Sequence, residues 1–190
     1  MSDKDAIRNN YLKLRLALPD LEYQQFSQNL CSIFFSSIDL SEIGTIHVYL
    51  PIRSRKEPNT WLIIDRIKKN FPHIRISIPK MEGNNKLVNY YFEGRNQIKE
   101  NNWKIPEPQF GEITPTEKID LVIVPLLSFD RNGDRVGYGK GYYDHFLKEC
   151  RSDCGKVGLS FFEPVDEIPD IDKYDVKLTH CVTPKRFYSF

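Results

Sequence analysis

Between residues 133 and 141 the chain sets four of its ten glycines, Gly133, Gly137, Gly139 and Gly141, among Arg135, Tyr138 and Lys140. Backbone amides left bare by glycine at a helix start bind phosphate oxygens, and the two cations add charge to the same cradle. Asp144 follows one helical step later, where a magnesium ion bridging phosphates needs a hard oxygen ligand. The chemistry implied is the gripping of a phosphorylated ligand. No Gly-Lys-Ser/Thr closes the loop as in a Walker A motif, and the glycines lack the third spacing of a dinucleotide fingerprint. On composition alone, a surface turn with incidental cations is the competing reading.

Other residues could join this chemistry. Lys4, Arg8 and Arg15 are spaced by four and seven, so they project from one face of a first helix. On a surface helix such a face is ordinarily solvated. Glu57 sits in a loop between a strand and a helix, where a lone glutamate is ordinarily a favourable dipole partner. His47, His73, His145 and His180 make no metal-binding spacing, and no Ser–His–Asp or Cys–His arrangement stands out.

The elements that must position these residues alternate. An apolar, β-branched run over residues 119–124 predicts a buried strand ahead of the glycine loop, and Tyr142, Tyr143, Phe146 and Leu147 predict a helix after it. Upstream, Ser2 or Asp3 caps a first helix with an apolar stripe of Ile7, Tyr11, Leu14 and Leu18. Pro19 breaks it and starts a second helix carrying Leu21, Phe26, Leu30, Ile33 and Phe34. Residues 45–50 read as a strand ending at Pro51, and Asn59 and Thr60 cap a helix through Lys69. Further strands are expected over 74–78, ending at Pro79, and over 87–92, 156–162 and 181–182. The proline-rich stretch 96–116 reads as a long ordered loop or extended segment. Strands alternating with helices imply an α/β fold with a mostly parallel central sheet, helices on both faces, and ligands at the carboxyl ends of the strands.

At 190 residues the chain is expected to be one domain, large enough to bury roughly 70% of its surface without staples. Lys plus Arg is 27 against Asp plus Glu 26, so no global field would hold a nucleic acid. The four cysteines, Cys31, Cys150, Cys154 and Cys181, form no Cys-x-x-Cys or zinc pattern. No run approaches a membrane span and the start has no apolar leader, so a cytoplasmic protein with no membrane partner is expected.

The run Val124-Pro125, Phe129-Asp130, Gly133, Arg135, Gly137, Gly139-Lys140-Gly141-Tyr142-Tyr143-Asp144 resembles the signature of the 5-formyltetrahydrofolate cyclo-ligase family. The opening Lys4-Asp5-Ala6-Ile7-Arg8 with Tyr11, Arg15 and Leu18 is similar to that family's first helix. The turn from Tyr49 to Thr60, the segment Trp103-Lys104-Ile105-Pro106-Glu107-Pro108 and the closing Tyr174-Asp175 match in kind. The resemblance implies a three-layer Rossmann-like fold and a monomer. It also implies an ATP- and Mg²⁺-dependent closure of 5-formyltetrahydrofolate to 5,10-methenyltetrahydrofolate. By residue, Lys4, Asp5, Ala6, Ile7 and Arg8 with Arg135, Val136, Gly137, Tyr138, Gly139, Lys140, Gly141, Tyr142 and Tyr143 would hold ATP. Leu50 and Glu57 would hold the folate, together with Tyr138, Gly139, Lys140, Gly141 and Tyr142. Asp144 and Asp175 would hold the metal, and Lys140, Arg135 and Tyr142 would act in catalysis. Phe129 and Tyr142 are expected as aromatic walls, Trp103 as a loop anchor, and Pro79-Lys80 near the cleft.

Two positions depart from the family's pattern. Tyr138 stands where some relatives carry arginine, and Thr179 stands where the closing segment carries a second aspartate. A non-catalytic relative that binds nucleotide or folate, and a different phospho-ligand enzyme such as a sugar-phosphate isomerase, are the competing functions. Retention of Lys4, Arg8, Glu57, Lys140 and Asp144 argues against the first, and the spread of matching segments against the second.

Overall fold

A computed structural model describes residues 3–190; Ser2, one of the two expected caps, lies outside the described residues. Helices α1 (Asp3–Ala17) and α2 (Asp20–Ser37) precede strand β1 (Thr45–Val48). Helix α3 (Trp61–Asn70) leads into β2 (Arg75–Glu82) and β3 (Lys86–Tyr91). Strands β4 (Ile98–Glu100) and β5 (Pro106–Pro108) form a separate antiparallel pair. Then come β6 (Leu121–Pro125), the short pair β7 (Ser128–Phe129) and β8 (Arg135–Val136), and helix α4 (Tyr142–Glu149). Strands β9 (Gly155–Leu159), β10 (His180–Val182) and β11 (Phe187–Ser189) finish the described chain.

Seven strands make one sheet in the order β11-β10-β9-β6-β1-β2-β3. The five from β10 to β2 run parallel, and β11 and β3 are antiparallel edges. Burial on both sides explains why β6 reads as an unbroken apolar run rather than an alternation. Leu121 and Ile123 pack into a core with Leu30 and Phe34 of α2 and Ile64 and Ile67 of α3. Val122 and Val124 point the other way, into a core with Phe146 and Leu147 of α4. The expected α/β architecture, mostly parallel with helices on both faces, is what the chain forms.

Several local expectations change. In α1 the inward residue is Arg15, 3% exposed, while Leu14 is 44% exposed. The helix lies against β7, β8 and the turn at 53–55 rather than on the apolar sheet face, so its basic side is the packed one. Leu21 is also outside, at 80% exposure. Strand β2 runs through Pro79, because its pairing with β1 ends at Ser77 and β3 alone continues alongside. A proline is tolerated there, where the ladder on one side has stopped. Thr60 does not cap α3 with its side chain; its hydroxyl donates to Tyr49 O at 2.6 Å, tying the helix start to the end of β1.

Candidate active site

The parallel strands β1, β2 and β6 deliver their carboxyl ends to one cavity. Tyr49, Leu50 and Ile52 follow β1, Pro79 and Met81 belong to β2, and Pro125 closes β6. Ile105, Pro106 and Glu107 from the β4–β5 pair form a side wall, and residues 135–144 run across the top. Lys4 and Arg8 of α1 reach the same cavity from the start of the chain.

The upper loop is held by its own turn chemistry. Asp130, 1% exposed, accepts from Asn132 N and Asp134 N with one oxygen and from Ile168 N with the other, at 2.9–3.0 Å. This fixes the turn between β7 and β8 and aims Arg135, whose side chain is 5% exposed. Arg135 Nη2 donates to Asp144 Oδ1 at 2.7 Å and Nη1 donates to Val176 O. Arg8 Nε donates to Gly137 O at 3.0 Å, and its guanidinium also pairs with Asp5. The close fit of Arg8 explains one glycine. Gly139 has φ +79°, and a Cβ there would lie 3.0 Å from Arg8 Cζ. Gly141, also left-handed, opens α4. Lys140 stands exposed on this loop and has no hydrogen-bond or ion-pair partner among the described residues.

A second part of the lining is built around a buried carboxylate. Glu57 is 3% exposed; one oxygen accepts from Ile52 N at 2.7 Å and the other from the Tyr138 hydroxyl at 2.5 Å. Arg15 donates to Leu126 O at 3.2 Å and also to the Tyr138 hydroxyl. The Arg55 guanidinium lies 4.5 Å from the centre of the Tyr138 ring. Burial raises the Glu57 carboxyl above its ordinary value, although Arg15, the Ile52 amide and Tyr138 all pull it down. Burial, and then Glu57 itself, push the Tyr138 phenol up.

The carboxylates expected to hold a metal both line the cavity. Asp144 Oδ1 takes Arg135 and Val176 N (3.2 Å), and Asp175 Oδ2 takes Lys4 and Asp172 N (2.7 Å). The second oxygen of each accepts no hydrogen bond among the described residues. No cluster of three or more His, Cys, Asp or Glu side chains suited to a metal occurs among the described residues. Two carboxylates with one unused oxygen each fit Mg²⁺, which is ordinarily held by one or two carboxylates while phosphates and water complete its shell.

A model of the 5-formyltetrahydrofolate cyclo-ligase family matches residues 1–184. The chain belongs to that family. It is 35% identical over 149 residues to a probable 5-formyltetrahydrofolate cyclo-ligase of Schizosaccharomyces pombe, covering 70% of this chain and 71% of the relative. It is 25% identical over 182 residues to the 5-formyltetrahydrofolate cyclo-ligase of Escherichia coli K12, covering 93% and 97%. Among solved structures, the 5,10-methenyltetrahydrofolate synthetase of Aquifex aeolicus superposes with a TM-score of 0.84 at 28% identity, over 98% of this chain and 92% of that one. The synthetase of Mycoplasma pneumoniae gives 0.76 at 25%, over 95% and 98%. The protein is therefore an enzyme of the cyclo-ligase family.

Within this family member, residues expected at the site divide into those the fold gathers and those it does not. Lys4, Arg8, Leu50, Glu57, every residue from Arg135 to Asp144, and Asp175 all line the cavity. Asp5, Ala6 and Ile7 do not; Asp5 pairs with Arg8, and Ala6 faces solvent. Phe129 is not a wall of the cavity: it is fully buried against Tyr188 and Phe190. Trp103 is 76% exposed and anchors nothing, leaving Ile105 and Pro106 as the useful part of its segment. Pro79 lines the cavity and Lys80 does not. Thr179 closes strand pairing instead, accepting from Lys156 N at 2.8 Å.

Sequence reasoning left Arg15 without a role and missed Tyr49 altogether. Arg15 proves to be the residue that holds Tyr138, and the signal for it was already present in its spacing with Lys4 and Arg8. Tyr49, one residue beyond β1, sat inside a predicted strand and gave no signal of its own.

Proposed function

We propose that this enzyme converts 5-formyltetrahydrofolate to 5,10-methenyltetrahydrofolate, consuming ATP with Mg²⁺ and releasing ADP and phosphate. One observation carries the reading. Lys4 and Arg8, from the first helix, meet residues 135–144 over the same cavity that holds the buried Glu57. The gathered cations suit a triphosphate, and the buried carboxylate suits the amino-pyrimidinone edge of a pterin, which offers two parallel N–H donors.

The chemistry accounts for the residue types. A formamide oxygen leaves poorly, so N10 cannot close the ring by expelling hydroxide. In-line transfer of the γ-phosphoryl to that oxygen gives an iminium phosphate; N10 attacks its carbon and gives up its proton to solvent, and phosphate departs. For such a transfer the protein mainly positions groups and neutralises charge. Lys4, Arg8, the amides of residues 136–141 and Arg135 hold the triphosphate, with Arg135 kept in place by Asp144 and the Val176 carbonyl. Lys140, with no protein partner to leave, turns to the moving phosphoryl. Leu50, Tyr142 and Glu57 seat the folate, and Tyr138 yields Glu57 to it. Asp144 and Asp175 would hold Mg²⁺, and the ion when bound would offset charge on the phosphates.

The test is to mix the purified protein with (6S)-5-formyltetrahydrofolate, ATP and Mg²⁺ and to follow the near-ultraviolet methenyl band. Product should form with all three and with no pair of them. Turnover without ATP would overturn the proposal in favour of a different reaction on this sheet. Nucleotide binding with no product from the complete mixture would favour a non-catalytic binding protein.

A further inference from the structure

One residue of the cavity lining carries a polar atom with nothing to bond among the described residues. Tyr49 is 4% exposed and is one of the residues lining the cavity, yet its hydroxyl is buried with no hydrogen-bond partner among the described residues. The ionisable groups that act on it most strongly are Glu57, Tyr138, Arg15 and Tyr143, all from this site. Burying a hydroxyl without a partner is destabilising, and such a group in a native fold calls for an explanation. Its backbone is tied to the start of α3, since Tyr49 O accepts from the Thr60 hydroxyl at 2.6 Å.

We propose that the Tyr49 hydroxyl is a specificity-determining contact to the folate ring, donating to the ring carbonyl beside the N–H groups that Glu57 receives. This rests on the function proposed above and adds to it a residue and a polarity. A carboxylate only accepts. The pyrimidinone edge of a folate, however, sets a carbonyl oxygen immediately next to its N–H donors, and that oxygen needs a donor. Ile52 N already donates to Glu57, and the Tyr138 hydroxyl does the same. The Tyr49 hydroxyl is left as a donor with no protein acceptor among the described residues; Arg15 Nε is likewise unpaired, but Arg15 does not line the cavity. Phenylalanine in its place would satisfy the protein and fail the ligand.

Tyr49→Phe separates these consequences. Folate binding is measured by calorimetry without nucleotide, steady-state constants are measured with both substrates, and thermal unfolding is followed on the free protein. The expected result is a loss of folate affinity of roughly fivefold to tenfold, the worth of one hydrogen bond. The KM for ATP should be unchanged, and the free variant should melt no lower than wild type. Unchanged folate affinity would overturn the assignment, as would a melting temperature several degrees lower, which would mean the hydroxyl serves the fold. If wild type binds folate but makes no product, the proposed reaction fails while the Tyr49 contact is still decided by the binding experiment. If wild type binds no folate, both fall.

Discussion

A carboxylate enclosed like Glu57 titrates where its surroundings dictate, and here burial dominates, lifting it above its ordinary value. Two consequences follow with definite signs. To accept two N–H donors from a pterin the group must be ionised, so the KM for folate should fall as pH rises through the Glu57 ionisation and then level off. Stability moves the other way. The native state holds the proton to higher pH than the unfolded chain, so this contribution is full below the ordinary carboxylate value and is lost as pH rises through the raised one. Glu57→Gln should remove both trends and weaken folate binding by at least about tenfold; a pH profile of KM beside a pH series of unfolding midpoints checks them together. Lys140 poses a different question, because it is exposed and unpaired. If it balances charge on the transferring phosphoryl, Lys140→Ala should lower kcat by roughly a hundredfold to a thousandfold at saturating ATP and leave the unfolding midpoint alone. Wild-type turnover at saturating ATP would remove Lys140 from the mechanism.

At the scale of elements, the site depends on strands that never touch a ligand. In β9, a Cβ on Gly158 would lie 2.6 Å from Leu126 Cδ2 and 2.8 Å from Leu178 Cδ1, both buried. Leu178 is two residues from Val176, whose carbonyl holds Arg135 and whose amide holds Asp144. Gly158→Ala should therefore cost about 1–3 kcal/mol of stability through overpacking. It should also raise the KM for ATP by displacing the 175–178 segment; denaturant midpoints and steady-state kinetics report the two effects separately. Elements of this kind were legible in the sequence where burial is two-sided: the apolar run of β6 could be little else, and β1 and β9 read as strands from the β-branched and apolar residues at and just beyond them. The glycine loop was equally legible, because amides bared at a helix start serve few purposes. The β7–β8 pair, the β4–β5 pair and β11 were not, since two or three residues carry no periodicity. Helix α1 misled for a physical reason: an inward face ordinarily reads as apolar, and here it is Arg15 that is buried, its two terminal nitrogens donating to Leu126 O and Tyr138 while Nε has no partner among the described residues. Likewise Leu14 and Leu21 fit a helical stripe, but nothing in the fold covers them.

For the whole molecule, a net charge of +1 means that no long-range field draws a polyanion, so nucleotide recognition must come from where the chain gathers its cations. That gathering joins the first helix to a loop more than a hundred residues away: Arg8 reaches Gly137 O, and Lys4 reaches Asp175. Replacing both with glutamine tests the convergence directly. The pairs they form are part-exposed, at 15% and 25% for Lys4 and Asp175 and 23% and 45% for Arg8 and Asp5. Their loss should therefore change stability by no more than about 1 kcal/mol each. If these side chains grip phosphate, the KM for ATP should rise more than about tenfold, the equivalent of ~1.4 kcal/mol. The KM for folate should stay close to wild type, because neither Lys4 nor Arg8 makes a hydrogen bond or ion pair with Glu57 or Leu50, the residues proposed to seat the folate. Salt supplies the independent check. Screening shortens to about 10 Å near 0.1 M ionic strength, so wild-type ATP affinity should weaken as salt is added, and the double variant should show a shallower dependence. A double variant that loses folate and ATP affinity equally, or keeps the wild-type salt slope, would mean that α1 merely supports the fold and that the triphosphate is held elsewhere.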